Sequence, residues 1–270
     1  MKHIERRITD SIRLIYPAPE AEAASLIEAS CLRSLETIRW LWGPPEPEDC
    51  RVYVMTSMLR FIYCSSGIRV KISLTLFLPF WYRAMRKFWP LTAGLTRQVK
   101  DRPIVGVKPP RLLVEADTRI GERLFIKEAD MIRKLESTVC HELTHAFFSH
   151  LKLPNWLNEG VAMLSVDEHF QHESVRRDTL DLLNEGRGAV GASSALGYAK
   201  LKPEEVVCVY ARGYWLTRFL RERHPDVLRS FLTQERTAQQ FDAELARLLG
   251  VPLHLLWIEV DRGLYRYFSG

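Results

Sequence analysis

The chain has 270 residues, of which 47% are hydrophobic and 26% are charged, with a formal net charge of +5. This composition is that of an ordinary globular protein with a large core. No run of about 18 apolar residues occurs, so no spanning helix is predicted. The first ten residues carry charges without the apolar core of a secretory signal. The five cysteines are odd in number and scattered, as is typical of reduced thiols, and we expect a cytoplasmic protein.

The first part of the chain predicts an N-terminal helical segment. Isoleucines at positions 4, 8, 12 and 15 predict an amphipathic helix over 3–16. A longer apolar stripe predicts a second helix over 20–42. The stretch Gly-Pro-Pro-Glu-Pro at 43–47 then breaks the chain. We therefore predict a helical segment over 1–43 and a separate domain over 50–270.

The next part predicts a small mixed sheet. Alternating apolar residues predict a strand over 51–56 and a clearer, half-buried strand over 68–78. Further short strands are predicted over 104–107, 112–115 and 123–126. Directly after the strand predicted over 68–78, Pro79 opens a short helix. Four side chains form the apolar face of that helix: Trp81, Met85, Phe88 and Trp89.

Helical periodicity dominates from residue 129 onward. One predicted helix runs from Ala129 to His150, and a stretch rich in Gly, Ala and Ser predicts a loop over 186–202. The other predicted helices cover 155–165, 168–185, a segment opened by Pro203, 225–234, 238–249 and 252–267. The expected fold class is α+β, with a sheet lobe over 50–150 and a mainly helical lobe over 151–270.

The predicted helix over 129–150 contains the motif His-Glu-x-x-His at 141–145. Residues four apart lie about 40° apart around a helix, with Cβ atoms about 6 Å apart, so His141 and His145 can both point a nitrogen at one ion. Glu142 lies about 100° from His141, where it suits a water on the ion better than the ion itself. Zinc accepts such ligands and keeps one position open in catalytic sites. The motif arises by chance in roughly one chain per hundred, and two histidines on an apolar helix can simply be core residues, so context decides.

A third ligand has to come from further along the chain. His150 lies about 140° from His145 around the helix and points away from the ion. Pro154 ends this helix, and Asn155 is the expected N-cap of the next one. Glu159 falls close to the first turn of that helix, where the helix dipole favours a carboxylate. An antiparallel helix pair joined by a short loop brings Glu159 opposite the two histidines.

Two stretches together, His-Glu-Leu-Thr-His at 141–145 and Pro-Asn-Trp-Leu-Asn-Glu-Gly-Val-Ala at 154–162, resemble the gluzincin zinc metallopeptidases, in particular the peptidase MA-like group. The resemblance is strong over about 136–166 and weak over 203–225. It implies one zinc ion per chain, a peptide or protein substrate bound along an edge of the sheet, and a zincin-like fold with the active-site helix between the two lobes. The residues carried over are His141, His145 and Glu159 as zinc ligands and Glu142 as general base.

The chain also departs from this pattern. Thermolysin-like relatives have an aspartate four residues after the glutamate ligand, to hold a ligand histidine, and here that position is Met163. The partner of the ligand histidines must therefore come from elsewhere.

The resemblance further implies an oxyanion donor on a later helix. The stretch 209–214 is similar to the family's Tyr-x-x-Gly/Ser pattern, which points to Tyr210 as this donor. Tyr214 lies one turn further and remains an alternative, as does a tyrosine used only for packing. Arg212 either is solvated or binds a substrate carboxylate, and Cys140, beside the motif, either packs or has an accessory role.

A basic stretch occupies residues 50–114, where twelve lysines and arginines stand against a single acid, Asp101. The alternatives are a solvated face paired with acidic parts of the same protein, an acidic substrate, nucleic acid, or weak contact with an anionic membrane surface through 69–111. No nucleic-acid motif accompanies the stretch. Aromatic residues over 80–89 lie beside cations at 83, 86 and 87, as in segments that rest on anionic bilayers.

The sequence therefore predicts a zinc metallopeptidase that hydrolyses peptide bonds. One alternative is a catalytically inactive zincin-fold binding protein, and another is a basic membrane- or nucleic-acid-associated module with an incidental metal motif. Glu142 favours catalysis, because a purely structural metal site needs no base. The Trp-Leu-Asn-Glu-Gly match at 156–160 favours the metallopeptidase over the membrane- or nucleic-acid-associated module. The sequence makes no prediction of oligomeric state.

Overall fold

A computed structural model of the chain describes residues 3–113, 118–184 and 203–270. It confirms the predicted α+β class, with a five-stranded mixed sheet in the N-terminal half. The predicted loop over 186–202 lies outside the described residues. Within the described residues, every helix is too short or too polar to cross a membrane.

The chain divides into two compact units. The first comprises Met1–Thr118 and Glu128–Ser149, and the second comprises Arg119–Lys127 and His150–Gly270. Residues 1–43 belong to the same unit as the sheet.

The sheet lies in the first unit and has the strand order β1-β2-β3-β5-β4. Its three central strands are parallel, and an antiparallel strand lies at each edge. Leu14, Val52 and Val105 on these central strands are fully buried, as expected of parallel strands covered on both faces. The strands are β1 His3–Arg7, β2 Ile12–Pro17, β3 Cys50–Val54, β4 Gly94–Val99 and β5 Arg102–Val107.

The described helices follow in chain order. They are α1 Ala21–Trp42, α2 Met58–Ser65, α3 Ile68–Leu76, α4 Leu78–Phe88, α5 Pro110–Leu113, α6 Thr118–Leu124, α7 Met131–Phe148, α8 Asn155–Phe170, α9 Thr179–Asn184, α10 Pro203–Arg223, α11 Pro225–Phe231, α12 Ala238–Leu249 and α13 Leu256–Ser269. In the first unit, α1 packs on α7, and α7 contacts β4 and β5. A separate cluster around Tyr53, Met58 and Phe61 packs α2 and α4 against the sheet.

Two predictions for the N-terminal segment have different outcomes. The helix predicted over 20–42 is confirmed as α1, whereas the helix predicted over 3–16 is wrong, because β1 and β2 form an antiparallel hairpin there. Leu14 and Ile15, which are neighbours on opposite faces of β2, are both buried. A strand that is buried on both faces has a continuous apolar run, which sequence periodicity does not distinguish from a buried helix.

The strand predicted over 68–78 is also wrong. These residues form α3, the corner residue Phe77 and the first residue of α4, and Leu74 is the one fully buried side chain of α3. The alternation of apolar residues therefore does not separate a buried face from an exposed one. The helix predicted from Pro79 is confirmed as α4.

Two shorter strand predictions are corrected and two are confirmed. The strands predicted over 51–56 and 104–107 correspond to β3 and β5. The strand predicted over 112–115 is contradicted by α5, and its last two residues lie outside the described residues. The prediction over 123–126 reduces to a single bridge between Phe125 and Val175. The edge strand β4 was not predicted.

The helix predicted over 168–185 is largely wrong, because α8 continues to Phe170 and ends at Gln171 in the left-handed region (φ 55°). Asp167 then holds the following turn, since its Oδ1 accepts hydrogen bonds from the backbone and hydroxyl of Ser174 at 2.7 and 2.5 Å. Within this range, the chain becomes helical again only at α9.

The second unit is built around α8 and α10. A Cβ at Gly160 would stand less than 3.0 Å from Thr217 Oγ1 and the Gly213 carbonyl oxygen, and a Cβ at Gly213 would stand 2.5 Å from the Trp156 carbonyl oxygen. Only glycine at these two positions allows the two backbones to approach so closely. The glycine in the Trp-Leu-Asn-Glu-Gly motif is therefore explained by this close packing.

Arg212 is neither solvated nor open to a substrate. It is 2% exposed and forms two hydrogen bonds to Asp261, at 2.7 and 2.8 Å, with its guanidinium over the ring of Trp257. The solvated and carboxylate-binding roles considered from sequence are both wrong. The ion pair joins α10 to α13, and removing either partner alone would leave a buried charge.

Candidate metal centre

Helix α7 carries the His-Glu-x-x-His motif and is fixed in the first unit at both its start and its middle. Asp130 caps the helix, since its Oδ1 accepts a hydrogen bond from the Ile132 amide at 2.8 Å. One turn before the motif, Arg33 of α1 donates two hydrogen bonds to the nearly buried Glu136, at 2.5 and 2.9 Å. The motif therefore lies on a helix whose rotation is set by specific contacts.

His141 and His145 point the same ring atom at a common position. Their Nε2 atoms are 3.1 Å apart, and their rings are perpendicular with centroids 4.7 Å apart. Both side chains are partly exposed. Two neutral imidazoles cannot both direct a lone pair at this position without repulsion, so either a proton or a cation is required there.

Glu159 completes a set of potential metal ligands. Each of His141, His145 and Glu159 offers one ligand atom, and these atoms all lie within 4.8 Å of one another. Among the described residues, these three form the cluster of side chains that could hold a metal ion. The structure thus brings together the three residues selected from the sequence. His150 is exposed, lies in the turn Ser149–Leu151 and is not part of this group.

Glu142 is buried against the edge strand β4. The Thr96 hydroxyl lies 2.6 Å from Glu142 Oε2 and 2.9 Å from the Glu142 carbonyl oxygen, and it can donate its single proton to either. A Cβ at Gly94 would stand less than 3.0 Å from the Cγ, Cδ and Oε1 of Glu142. Glycine at position 94 therefore makes the space for this carboxylate, and Thr96 orients it.

Thr96 and Gly94 are the site residues that sequence reasoning missed. They lie 46 and 48 positions before Glu142 and belong to a strand that was not predicted. The available signal was Gly-Leu-Thr followed by a charged turn, which resembles many surface loops.

Two hydroxyls on α10 were considered as oxyanion donors. Tyr214 is fully buried and donates to Asp167 Oδ2 at 2.7 Å, while Arg218 Nη1 lies 3.3 Å from the same hydroxyl. Burial and the adjacent Asp167 carboxylate raise the pKa of Tyr214. Its proton is therefore used within the second unit.

Tyr210 is placed differently. It is half-buried and lies on the same face of α10 as Gly213 and Thr217, the residues that contact α8. Its role as the oxyanion donor stays a prediction.

Cys140 and Met163 have packing roles. Cys140 is fully buried on the side of α7 that faces Ser34 of α1, and burial raises the pKa of its thiol to about 12. Such a thiol is a poor metal ligand or nucleophile near neutral pH. Met163 is fully buried and cannot replace the aspartate found in thermolysin-like sequences.

The chain matches no protein-family model and no curated protein. The function therefore has to be argued from the geometry of the site.

Proposed function

We propose that this protein is a zinc-dependent metallopeptidase of the gluzincin type, with a zincin-like fold. The observation that carries the proposal is the convergence of His141, His145 and Glu159 donor atoms within 4.8 Å, on a helix that also carries the oriented carboxylate of Glu142. Two imidazoles and one carboxylate are a typical ligand set for catalytic zinc, which leaves a fourth position for water or substrate.

The spacing of the histidines supports zinc as the ion. Ligand atoms around a tetrahedral zinc with bonds of about 2.1 Å are separated by about 3.4 Å. The two Nε2 atoms are 3.1 Å apart, which is close to that separation without any rearrangement. The donor set of two nitrogens and one oxygen suits zinc better than magnesium or calcium, which take mainly oxygen ligands.

In this proposal, His141, His145 and Glu159 would hold zinc, which would supply a Lewis acid for the peptide carbonyl and for the attacking water. Glu142 accepts the proton of the attacking water and later delivers it to the leaving amine. Its burial and its hydrogen bond from Thr96 hold the carboxylate in one orientation. Tyr210 donates a hydrogen bond to the oxygen on which negative charge develops.

The substrate is a peptide or protein that binds in extended form along β4. This strand lies at the edge of the sheet, so one side of its backbone has no strand partner in the sheet order. A peptide can add as a further strand there through main-chain hydrogen bonds. Because Thr96 and Gly94 of β4 contact Glu142, such a peptide would lie beside the general base.

The two tyrosines provide a matched pair for this mechanism. Tyr210→Phe is expected to lower kcat by about 10²-fold, the effect of removing one oxyanion donor, with little change in melting temperature. Tyr214→Phe is expected to leave kcat close to wild type but to destabilise the fold by about 1–3 kcal/mol, since the partly buried Asp167 loses a donor. Steady-state kinetics and thermal denaturation of both variants check the assignment, and the reverse pattern would make Tyr214 the donor.

The function itself is tested by metal analysis of the purified protein, followed by digestion of a peptide library. We expect about one zinc per chain, cleavage of library peptides, and loss of cleavage with a chelator that is reversed by added zinc. Zinc without any cleavage, combined with retention of peptides on the immobilised protein, would instead support the inactive binding protein. Absence of zinc after reconstitution would contradict the metallopeptidase.

A further inference from the structure

Helices α3 and α4 and the corner between them expose an unusual number of apolar side chains. Eighteen large apolar side chains are exposed among the described residues, and eight of them lie within residues 68–82. We refer to the exposed side chains of this range as the α3–α4 surface. An exposed apolar concentration of this kind usually marks an interaction site.

Helix α3 presents its apolar face outward. Leu74 is 2% exposed and fixes the inner side of the helix. Ile72 lies about 160° from Leu74 around the axis, with Ile68 and Leu76 one turn away on either side. Ile68 and Leu76 are each 70% exposed, and Ile72 is 51% exposed. The usual amphipathic pattern of a surface helix is therefore inverted.

Helix α4 continues this surface with aromatic side chains. Met85 packs against the core cluster of the first unit, which fixes the inner side of α4. Phe77 and Phe80 at the corner are 60% and 68% exposed, and Tyr82 is 58% exposed. Aromatic rings of this kind favour the boundary between water and hydrocarbon in a bilayer.

The charged side chains of α2, α3 and α4 are all positive. Residues 51–100 contain no Asp or Glu. Arg69, Arg83 and Arg86 are exposed, and within the described part of the chain none of them forms an ion pair with a carboxylate. A partner of this surface must therefore be both apolar and anionic.

Other cations of the basic stretch do not contribute to this surface, which narrows the prediction made from sequence. Arg51 and Arg102 both lie within ion-pair distance of Asp49, and Arg111 pairs with Glu20. Lys108 is fully buried, and its Nζ donates to the Trp89 carbonyl oxygen at 2.6 Å. Three of the remaining cations, Arg69, Arg83 and Arg86, are exposed arginines of α3 and α4.

We propose that the α3–α4 surface rests on an anionic lipid bilayer. Its aliphatic and aromatic side chains enter the boundary between headgroups and acyl chains, while Arg69, Arg83 and Arg86 contact anionic headgroups. A second copy of the chain is a poorer partner, because a symmetric dimer through this surface brings the same cations together. The binding is peripheral and requires no spanning helix.

The charge contribution is tested by co-sedimentation of the full-length protein with phosphatidylcholine vesicles containing or lacking phosphatidylglycerol. We expect binding only to the anionic vesicles, weakened by salt. Each cation near such a surface changes partitioning about fivefold, so Arg83→Glu/Arg86→Glu is expected to weaken binding by more than about 25-fold. The matched control is Arg229→Glu/Arg247→Glu, with the same charge change at exposed arginines of the second unit, and it is expected to bind far better.

The apolar contribution is tested with Phe77→Ser/Phe80→Ser, which is expected to weaken binding at least tenfold. The control is Leu32→Ser/Trp40→Ser, which removes two exposed apolar side chains of α1 and is expected to bind like wild type. Thermal denaturation checks that the variants remain folded, and because the replaced side chains are exposed, little change is expected.

Three results would overturn the proposal. The first is no sedimentation with anionic vesicles at low salt. The second is equal weakening by each variant and its control, which would mean that net charge or general stickiness drives binding. The third is that sedimentation velocity without lipid finds a dimer of the wild-type protein but a monomer of Phe77→Ser/Phe80→Ser. The α3–α4 surface would then be a protein interface. None of these results depends on peptidase activity.

Discussion

Glu142→Gln is expected to retain zinc and to lose peptide cleavage by about 10²–10⁴-fold in kcat, the usual contribution of a general base. Glutamine has nearly the same shape, so the space provided by Gly94 and the hydrogen bond from Thr96 can be kept. What disappears is the ability to accept the proton of the attacking water. Zinc content by elemental analysis and kcat on a peptide from the library digest measure the two effects separately.

Thr96 provides a control with a smaller effect. Thr96→Val removes the hydroxyl that orients Glu142 and is expected to lower kcat by about 10–10²-fold, since a misplaced base loses much of its advantage. Thr96→Ser keeps the hydroxyl and is expected to restore most of the activity. If Glu142→Gln cleaves peptides like wild type, Glu142 is not the base. If Thr96→Ser is as impaired as Thr96→Val, the hydroxyl does not position it.

The histidine pair was predictable because its geometry is local. A separation of four residues on a helix fixes the direction of both side chains, so the sequence alone predicts that His141 and His145 approach one point, and the structure has their Nε2 atoms 3.1 Å apart. The helix itself was predicted with an error of about two residues at each end, within the usual uncertainty of helix boundaries.

The surroundings of Glu142 were not predictable, because they depend on a contact across 46 residues. Strand β4 turns into β5 through Lys100 and Asp101, both with positive φ (50° and 62°). A two-residue hairpin of this type is normally signalled by Asn-Gly or Asp-Gly, and Lys-Asp carries no such signal. Without the hairpin there was no reason to pair Thr96 with anything on α7.

Two apolar patterns were misassigned for opposite physical reasons. Residues 14–17 are buried on both faces of the sheet, so they do not alternate, and such an apolar run is also typical of a buried helix. Residues 68–78 do alternate, but most of their apolar side chains remain exposed on helices. Periodicity assumes that apolar residues are buried by the chain itself, and that assumption fails where a surface is suited to an external partner.

The largest effect on metal binding is expected from the ligand residues. His145→Ala and Glu159→Ala are each expected to weaken zinc binding by more than about 10²-fold, because a three-ligand site loses one ligand and the remaining donors hold zinc poorly. His150→Ala removes an exposed histidine outside the ligand group and is expected to leave affinity close to wild type. Competition with a zinc-binding chromophore measures all three affinities without depending on peptidase activity.

Zinc-dependent stability gives a second measurement on the same variants. A ligand that binds only the folded state at 100 times its Kd stabilises it by about 2.7 kcal/mol, so zinc should raise the melting temperature of wild type and His150→Ala. At the same zinc concentration, His145→Ala and Glu159→Ala should show little or no rise while remaining folded without the metal. Full zinc in His145→Ala would show that the motif does not hold the ion. Loss of zinc in His150→Ala with retention in Glu159→Ala would mean that the third ligand comes from the end of α7, which would remove the main support for a gluzincin-type site.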